Sequence, residues 1–223
     1  MALTDEAIVR IKEMIVSGQL RPGDRLPREA DLAETLGLSR NSLREAVKAL
    51  SLMNVLDVRQ GDGTYVTSLD PELLLDALTF VVDFHRDESV LEFLRVRRIL
   101  EPAAAAMAAL RVSPDEVRLM QEVIDASLAT DAPEDVLQLD IEFHRLVGGA
   151  CGNSVLASLI EGLSAPTNRA RVWRGRTEPG ARERTAHEHQ AVLDALAGAE
   201  PDLAHAAMVT HVAGVENWLR SVR

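Results

Sequence analysis

Two short amphipathic stretches meet across three residues, Gly37-Leu38-Ser39, and that junction constrains the fold more than any other feature of the chain. Leu32, Ala33 and Leu36 recur at helical spacing before it. Leu43, Ala46, Val47 and Leu50 do the same after it. Glycine after the last apolar residue of a helix supplies the left-handed cap, and Ser39 can cap the helix that follows. Downstream, "NVLDV" and "GTYV" are β-prone and are joined by "RQGDG", a hairpin signal. Upstream, Ala7, Ile8, Ile11, Met14 and Ile15 predict a helix from Thr4, as its cap, to about Ser17. Helix, helix-turn-helix and hairpin together describe a winged helix-turn-helix over residues 1–68.

The remainder, residues 69–223, shows no strand signals. Helical patterns run over 70–85, 88–110, 114–129, 133–151, 153–174, 179–197 and 201–221. Pro71, Pro114, Pro133, Pro179 and Pro201 fall near their starts, where proline is tolerated. Aromatic residues make up only 3% of the chain against 47% hydrophobic, a Leu/Val/Ala/Ile core suited to helices. The expected fold is mainly α, a winged domain followed by an all-α bundle. The longest apolar run, Pro102 to Leu110, is too short to cross a bilayer. "MALTDEAIVRIKEM" carries acids where a signal peptide carries bases. With a single cysteine, Cys151, the expected setting is a reducing cytoplasm, with no membrane partner.

Charge is uneven. Residues 1–66 hold nine Lys+Arg and ten Asp+Glu, whereas the other 157 hold 15 and 25, out of a total net charge of -11. Only the N-terminal third is near neutral, so only there can clustered bases dock on a polyanion. Arg40, Asn41, Arg44 and Lys48 share the helix face opposite the apolar one. Arginine can pair bidentately with guanine and asparagine with adenine. Lys48, further along the helix, suits a phosphate, and Arg59 and Gln60 at the wing tip suit backbone or minor groove. Taken alone, "RNSLREAVK" also fits a solvated helix face with scattered bases. The glycine turn before it and the glycine-rich wing after it favour DNA.

The run "GQLRPGDRLPREADLAETLGLSRNSLREAVKAL", followed by "RQGDGTYV", resembles the N-terminal domain of GntR-family bacterial transcription regulators, over residues 7 to 67. The resemblance implies DNA contacts by Arg40 and Arg44, assisted by Asn41, Ser42 and Gln60-Gly61. Many members of its fatty-acid-regulator branch read Pro-x-Glu-Arg, with a DNA-contacting arginine last. Here the order is Pro27-Arg28-Glu29-Ala30, so Arg28 is the candidate substitute. Asn54 stands where the family usually has glycine, and asparagine tolerates the left-handed conformation.

Six histidines follow: His85, His144, His187, His189, His205 and His211. In "DIEFH", Asp140 and His144 lie one helical turn apart. His187 and His189 point about 200 degrees apart on a helix, so one of them can face inward. With His211 this makes one carboxylate and three imidazoles on three helices, a set able to bind a divalent transition metal. Surface or hydrogen-bonded histidines give the same spacing.

The segments "EFLRVRRILEPAAAAMAA", "DIEFHRLVGGACGNSVL" and "EHQAVLDALAGAEPDLAHAAMVTH" resemble the all-helical effector domain called FCD, over about 90 to 215. That resemblance implies a metal (Zn, Ni or Mn) on Asp140, His144, His189 and His211. His85, His187 and His205 are left as solvated side chains. It also implies a small carboxylate effector held by Arg97, with Asn168, Arg171 and Trp173 lining the cavity. A salt bridge from Arg97 to Glu101, one turn on, is the alternative. A polar, arginine-lined pocket suits a hydroxy or sugar acid. The expected protein is a metabolite-responsive regulator, a repressor acting as a homodimer on an inverted-repeat operator. The alternatives are a metal sensor without an organic effector and a metal-dependent hydrolase.

Overall fold

A computed structural model describes residues 3–69 and 88–222. The helix expected over 70–85 and His85 lie outside the described residues. Backbone proximity divides the chain into two compact units, Met1–Leu74 and Leu75–Arg223.

The first unit contains α1 (Leu3–Val16), α2 (Glu29–Leu36), α3 (Arg40–Leu52), β1 (Leu56–Arg59) and β2 (Gly63–Val66). Ile11, Leu32, Leu43 and Leu56 are almost fully buried and tie all three helices to the hairpin. The α2–α3 turn forms as its residues dictate. Gly37 takes φ +68, and the Ser39 side chain accepts a bond from the Ser42 amide at 3.1 Å. Asn54 takes φ +54, the conformation a glycine would otherwise supply. β1 and β2 pair antiparallel, Leu56 opposite Val66 and Arg59 opposite Gly63, around a turn in which Gly61 takes φ +78. The "PGDRL" stretch runs along β2, with the Leu26 amide donating to the Thr64 carbonyl at 2.8 Å. Thr4 lies inside α1 rather than before it, so it is not the cap expected from the sequence.

The second unit contains α4 (Glu88–Ala109), α5 (Pro114–Ala129), α6 (Pro133–Ala150), α7 (Ser154–Ser164), a 3-10 turn (Ala165–Thr167), α8 (Asn168–Thr177), α9 (Ala181–Ala197) and α10 (Pro201–Ser221). Alanines 104, 105 and 108 are fully buried on α4, which packs extensively against α10. Their small side chains let the two backbones approach closely. Phe143, Met120, Leu193 and Met208 fill the core. Among the described residues, no helix is long and apolar enough to cross a membrane.

One expected helix is two. The pattern over 153–174 divides at Pro166, which lacks the amide proton and clashes with the preceding turn. The break re-aims α8 and buries Thr167, and both consequences bear on the site below.

Candidate functional site

The α3 face is built as its spacing requires. Arg40, Asn41, Arg44 and Lys48 are exposed, and Leu43, Ala46 and Val47 are buried opposite them. Two of these bases have local partners: Arg44 Nε lies 3.4 Å from Glu29, and Lys48 Nζ 2.9 Å from Glu45. Exposed pairs of this kind are worth under about 1 kcal/mol and exchange readily for other anions. Ser42 departs from expectation. It is buried, and its hydroxyl lies 2.8 Å from that of Ser39. Three residues after the cap, it faces the turn rather than the solvent. Arg28, Gln60 and Gly61 are exposed. Arg59 lies over the Tyr65 ring at 4.3 Å and contacts Asp57 at 2.9 Å. Arg25, to which the sequence drew no attention, reaches the same wing and donates to the Asp62 carbonyl.

In the helical unit, α6, α9 and α10 bring four side chains together. Single ligand atoms of Asp140, His144, His189 and His211 all lie within 4.8 Å of one another. The Nε2 atoms of His144 and His189 stand 3.0 and 3.2 Å from that of His211. Asp140 Oδ1 is 3.3 Å from His189 Nε2 and 3.8 Å from His144 Nε2. His189 is the inward member of its pair, stacked on Phe143 at 4.0 Å between ring centres, while His187 and His205 are exposed.

Carboxylates stand behind two of the rings. Glu101 Oε2 lies 2.7 Å from His144 Nδ1, and Glu188 Oε2 lies 3.0 Å from His211 Nδ1. A carboxylate at Nδ1 holds the proton there and leaves Nε2 as a lone pair. Two such lone pairs 3.0 Å apart repel unless a cation lies between them. The pocket favours neutral imidazoles. Burial, then neighbouring charges, pushes His211 and His189 well below the usual histidine range. Burial would raise the Glu101 carboxyl, but Arg97 and His144 outweigh it and hold it well below the carboxylate range. The donor set therefore suits a divalent transition metal.

Beside these residues opens a cavity of about 350 Å³, lined by Arg97, Asp140, His144, Arg171, Arg174 and His211 among others. Arg97 makes the salt bridge that the sequence offered as the alternative. It pairs with Glu101, donates to Thr167 Oγ1 at 3.0 Å, and still faces the cavity. Arg171 contacts Asp140 Oδ2. Asn168 and Trp173 do not line this cavity. They border a separate groove on the outer side of α8, where Trp173 is 45% exposed and packs edge-on against Trp218. From α8, Arg171 and Arg174 face the cavity and Trp173 faces outward, while Asn168 Oδ1 lies 3.4 Å from Arg171 NH1.

Two family models match the chain: "Bacterial regulatory proteins, gntR family" over residues 3–66 and "FCD domain" over residues 92–214. The chain belongs to the GntR family, with an FCD domain. A putative L-lactate dehydrogenase operon regulatory protein of Escherichia coli is 31% identical over 98% of this chain and 86% of its own length. The galactonate operon transcriptional repressor of the same organism is 27% identical over 98% and 97%. The solved structure of a Streptococcus agalactiae GntR protein superposes with a TM-score of 0.76 at 27% identity, covering 96% of this chain and 99% of that one. As a GntR protein, the chain is a DNA-binding transcription regulator with a winged helix-turn-helix, and not an enzyme.

Within this GntR chain, sequence reasoning missed Glu188, Arg174 and Thr167. Glu188 sits directly before His189, but its partner His211 is 23 residues on, so only the packing of α9 on α10 reveals the pair. Arg174 lies one turn beyond Arg171 in "RARVWR", a spacing that marks a shared face once α8 is known to begin at Asn168.

Proposed function

We propose that this GntR protein is a repressor that binds an inverted-repeat operator as a homodimer and is released by a small hydroxy or sugar acid. The observation that carries the proposal is the convergence of Asp140, His144, His189 and His211 beside an arginine-lined cavity. In this reading those four residues hold Zn, Ni or Mn, and the bound cation supplies a Lewis-acidic contact for a carboxylate or hydroxyl oxygen. Among the buried charges, Arg97 offsets Glu101 and Arg171 offsets Asp140. A divalent cation would leave the chamber positive, which an anionic effector complements, with Arg97 and Arg171 as its guanidinium partners. The cavity favours this over a bare metal sensor, which needs no such room. The fatty-acid-regulator branch is proposed on the FCD domain, and the acid class on the lactate and galactonate relatives. A cytoplasmic site follows from the DNA target.

Operator contact is assigned to Arg40, Asn41 and Arg44 on bases and Lys48 on phosphate, with Arg28 and the wing residues Arg59, Gln60 and Gly61 assisting. The dimer is supported by Val96, Ile99 and Ala103 of α4 and Leu110 just past its end, an exposed apolar stripe at spacings of three, four and seven residues. Antiparallel packing of two such stripes about Ala103 sets Val96 opposite Leu110 and buries both, as a two-fold interface requires.

Calorimetry with hydroxy and sugar acids, with and without operator, tests the regulatory step. By linkage, an acid that lowers operator affinity must itself bind more weakly when operator is present, by the same factor. An acid that binds through Arg97 equally well in both cases would show that the pocket does not control DNA binding.

A further inference from the structure

Asp140 has two neighbourhoods. Its Oδ1 faces the imidazoles, 3.3 Å from His189 Nε2, and its Oδ2 is taken by Arg171. Arg171 is buried and held from behind, its NH1 2.9 Å from Ser164 Oγ and 3.4 Å from Asn168 Oδ1. Burial, then Arg97, disfavours charge on Arg171, yet a guanidinium keeps its proton and needs an anion beside it. Two consequences follow. With Oδ2 occupied, Asp140 presents a single oxygen to the histidines. A fixed positive charge also stands one carboxylate away from the place where a divalent cation would be held. Like charges at that range oppose each other, and an anion entering between them relieves the opposition.

We propose that Arg171 makes metal binding and carboxylate binding depend on each other. Arg171 is a positioning residue: it restricts Asp140 to one-oxygen coordination and weakens the metal site until a carboxylate enters the cavity. The metal then binds more tightly with the acid present, and by reciprocity the acid binds more tightly with the metal present. This inference rests on the metal reading given above.

The test uses metal-stripped full-length protein titrated with Zn²⁺ against a chromophoric chelator. Sodium acetate serves as the simplest carboxylate, with sodium chloride at equal ionic strength as its control. In wild type, acetate should raise Zn²⁺ affinity by roughly tenfold, within the ordinary range of site coupling. Arg171→Gln should bind Zn²⁺ about tenfold more tightly than wild type without acetate, and lose most of the acetate effect. Arg171→Lys, which keeps the charge, should retain that effect, as a merely structural role would not require. Where the Gln variant fails to fold, wild type and the Lys variant still decide the matter. Zn²⁺ binding by wild type that is indifferent to acetate, or weakened binding in a folded Arg171→Gln, overturns the inference alone. No Zn²⁺ binding by wild type overturns the metal reading and this inference with it.

Discussion

Glu101 Oε2 stands 2.7 Å from Nδ1 of His144, and its other oxygen holds Arg97. One buried carboxylate on α4 thus orients a candidate metal ligand and anchors a candidate effector ligand. Glu101→Gln should lower metal affinity about 10- to 100-fold, the usual effect of losing a partner behind a metal-bound histidine. It should also cost about 3–5 kcal/mol of folding stability, because Arg97 is left buried without its anion. Chelator competition and urea denaturation measure the two effects separately. Full metal affinity in a folded Glu101→Gln would remove the orienting role.

The metal-stripped protein should lose stability as pH falls through the histidine range. His189 and His211 titrate well below their unfolded value of about 6.5. In that window the unfolded chain binds more protons than the folded one, so stability is fully present above about pH 6.5 and declines below it. Glu188, whose carboxyl burial pushes up, acts in the opposite sense but starts from the lower carboxylate range. Denaturation midpoints between pH 8 and pH 5 provide the check, and a flat profile would contradict neutral buried imidazoles.

Much of this was legible in the sequence, and the parts that were not share a cause. Helix starts at Pro114, Pro133 and Pro201 could be read because proline fits a first turn. Pro102 and Pro166 could not be told apart by pattern: α4 runs through the first, while the chain breaks at the second. The Asp140–His144 pair was visible as an i, i+4 spacing; directions alone left His187 and His189 as alternatives, and the FCD resemblance selected His189. Glu188 with His211, and Arg171 with Asp140, are contacts across helices and leave no local periodicity. The burial of Ser42 was not legible because its position three residues after Ser39 serves the cap, a role that competes with exposure.

On the winged unit, Arg40→Ala and Arg44→Ala should each cost about 1–3 kcal/mol of discrimination between operator and scrambled DNA. Lys48→Ala should weaken all sequences alike and reduce the salt dependence by about one phosphate's share. Ser42→Ala should leave base preference intact and lower the unit's thermal stability, since it removes the partner of the Ser39 cap. Fluorescence anisotropy across a salt series distinguishes the three behaviours. Operator binding by Arg44→Ala at wild-type strength would overturn the assignment of α3.

Ile99, the most exposed large side chain of the stripe at 69%, should be the most sensitive point of the proposed dimer. Ile99→Glu would bury an unpaired carboxylate in the apolar seam. Sedimentation equilibrium should then show a monomer, and operator affinity should fall because one recognition helix reads only a half-site. A dimer of undiminished stability would move the interface elsewhere.

The most direct measurement is elemental analysis of untagged protein after mild dialysis, for wild type and for His144→Ala. Asp140, His144, His189 and His211 predict close to one equivalent of a divalent transition metal per chain in wild type. Most of it should be lost in the variant, together with a fall in wild-type melting temperature when the metal is stripped. Far less than one equivalent in wild type, at a level unchanged by His144→Ala, would contradict the account.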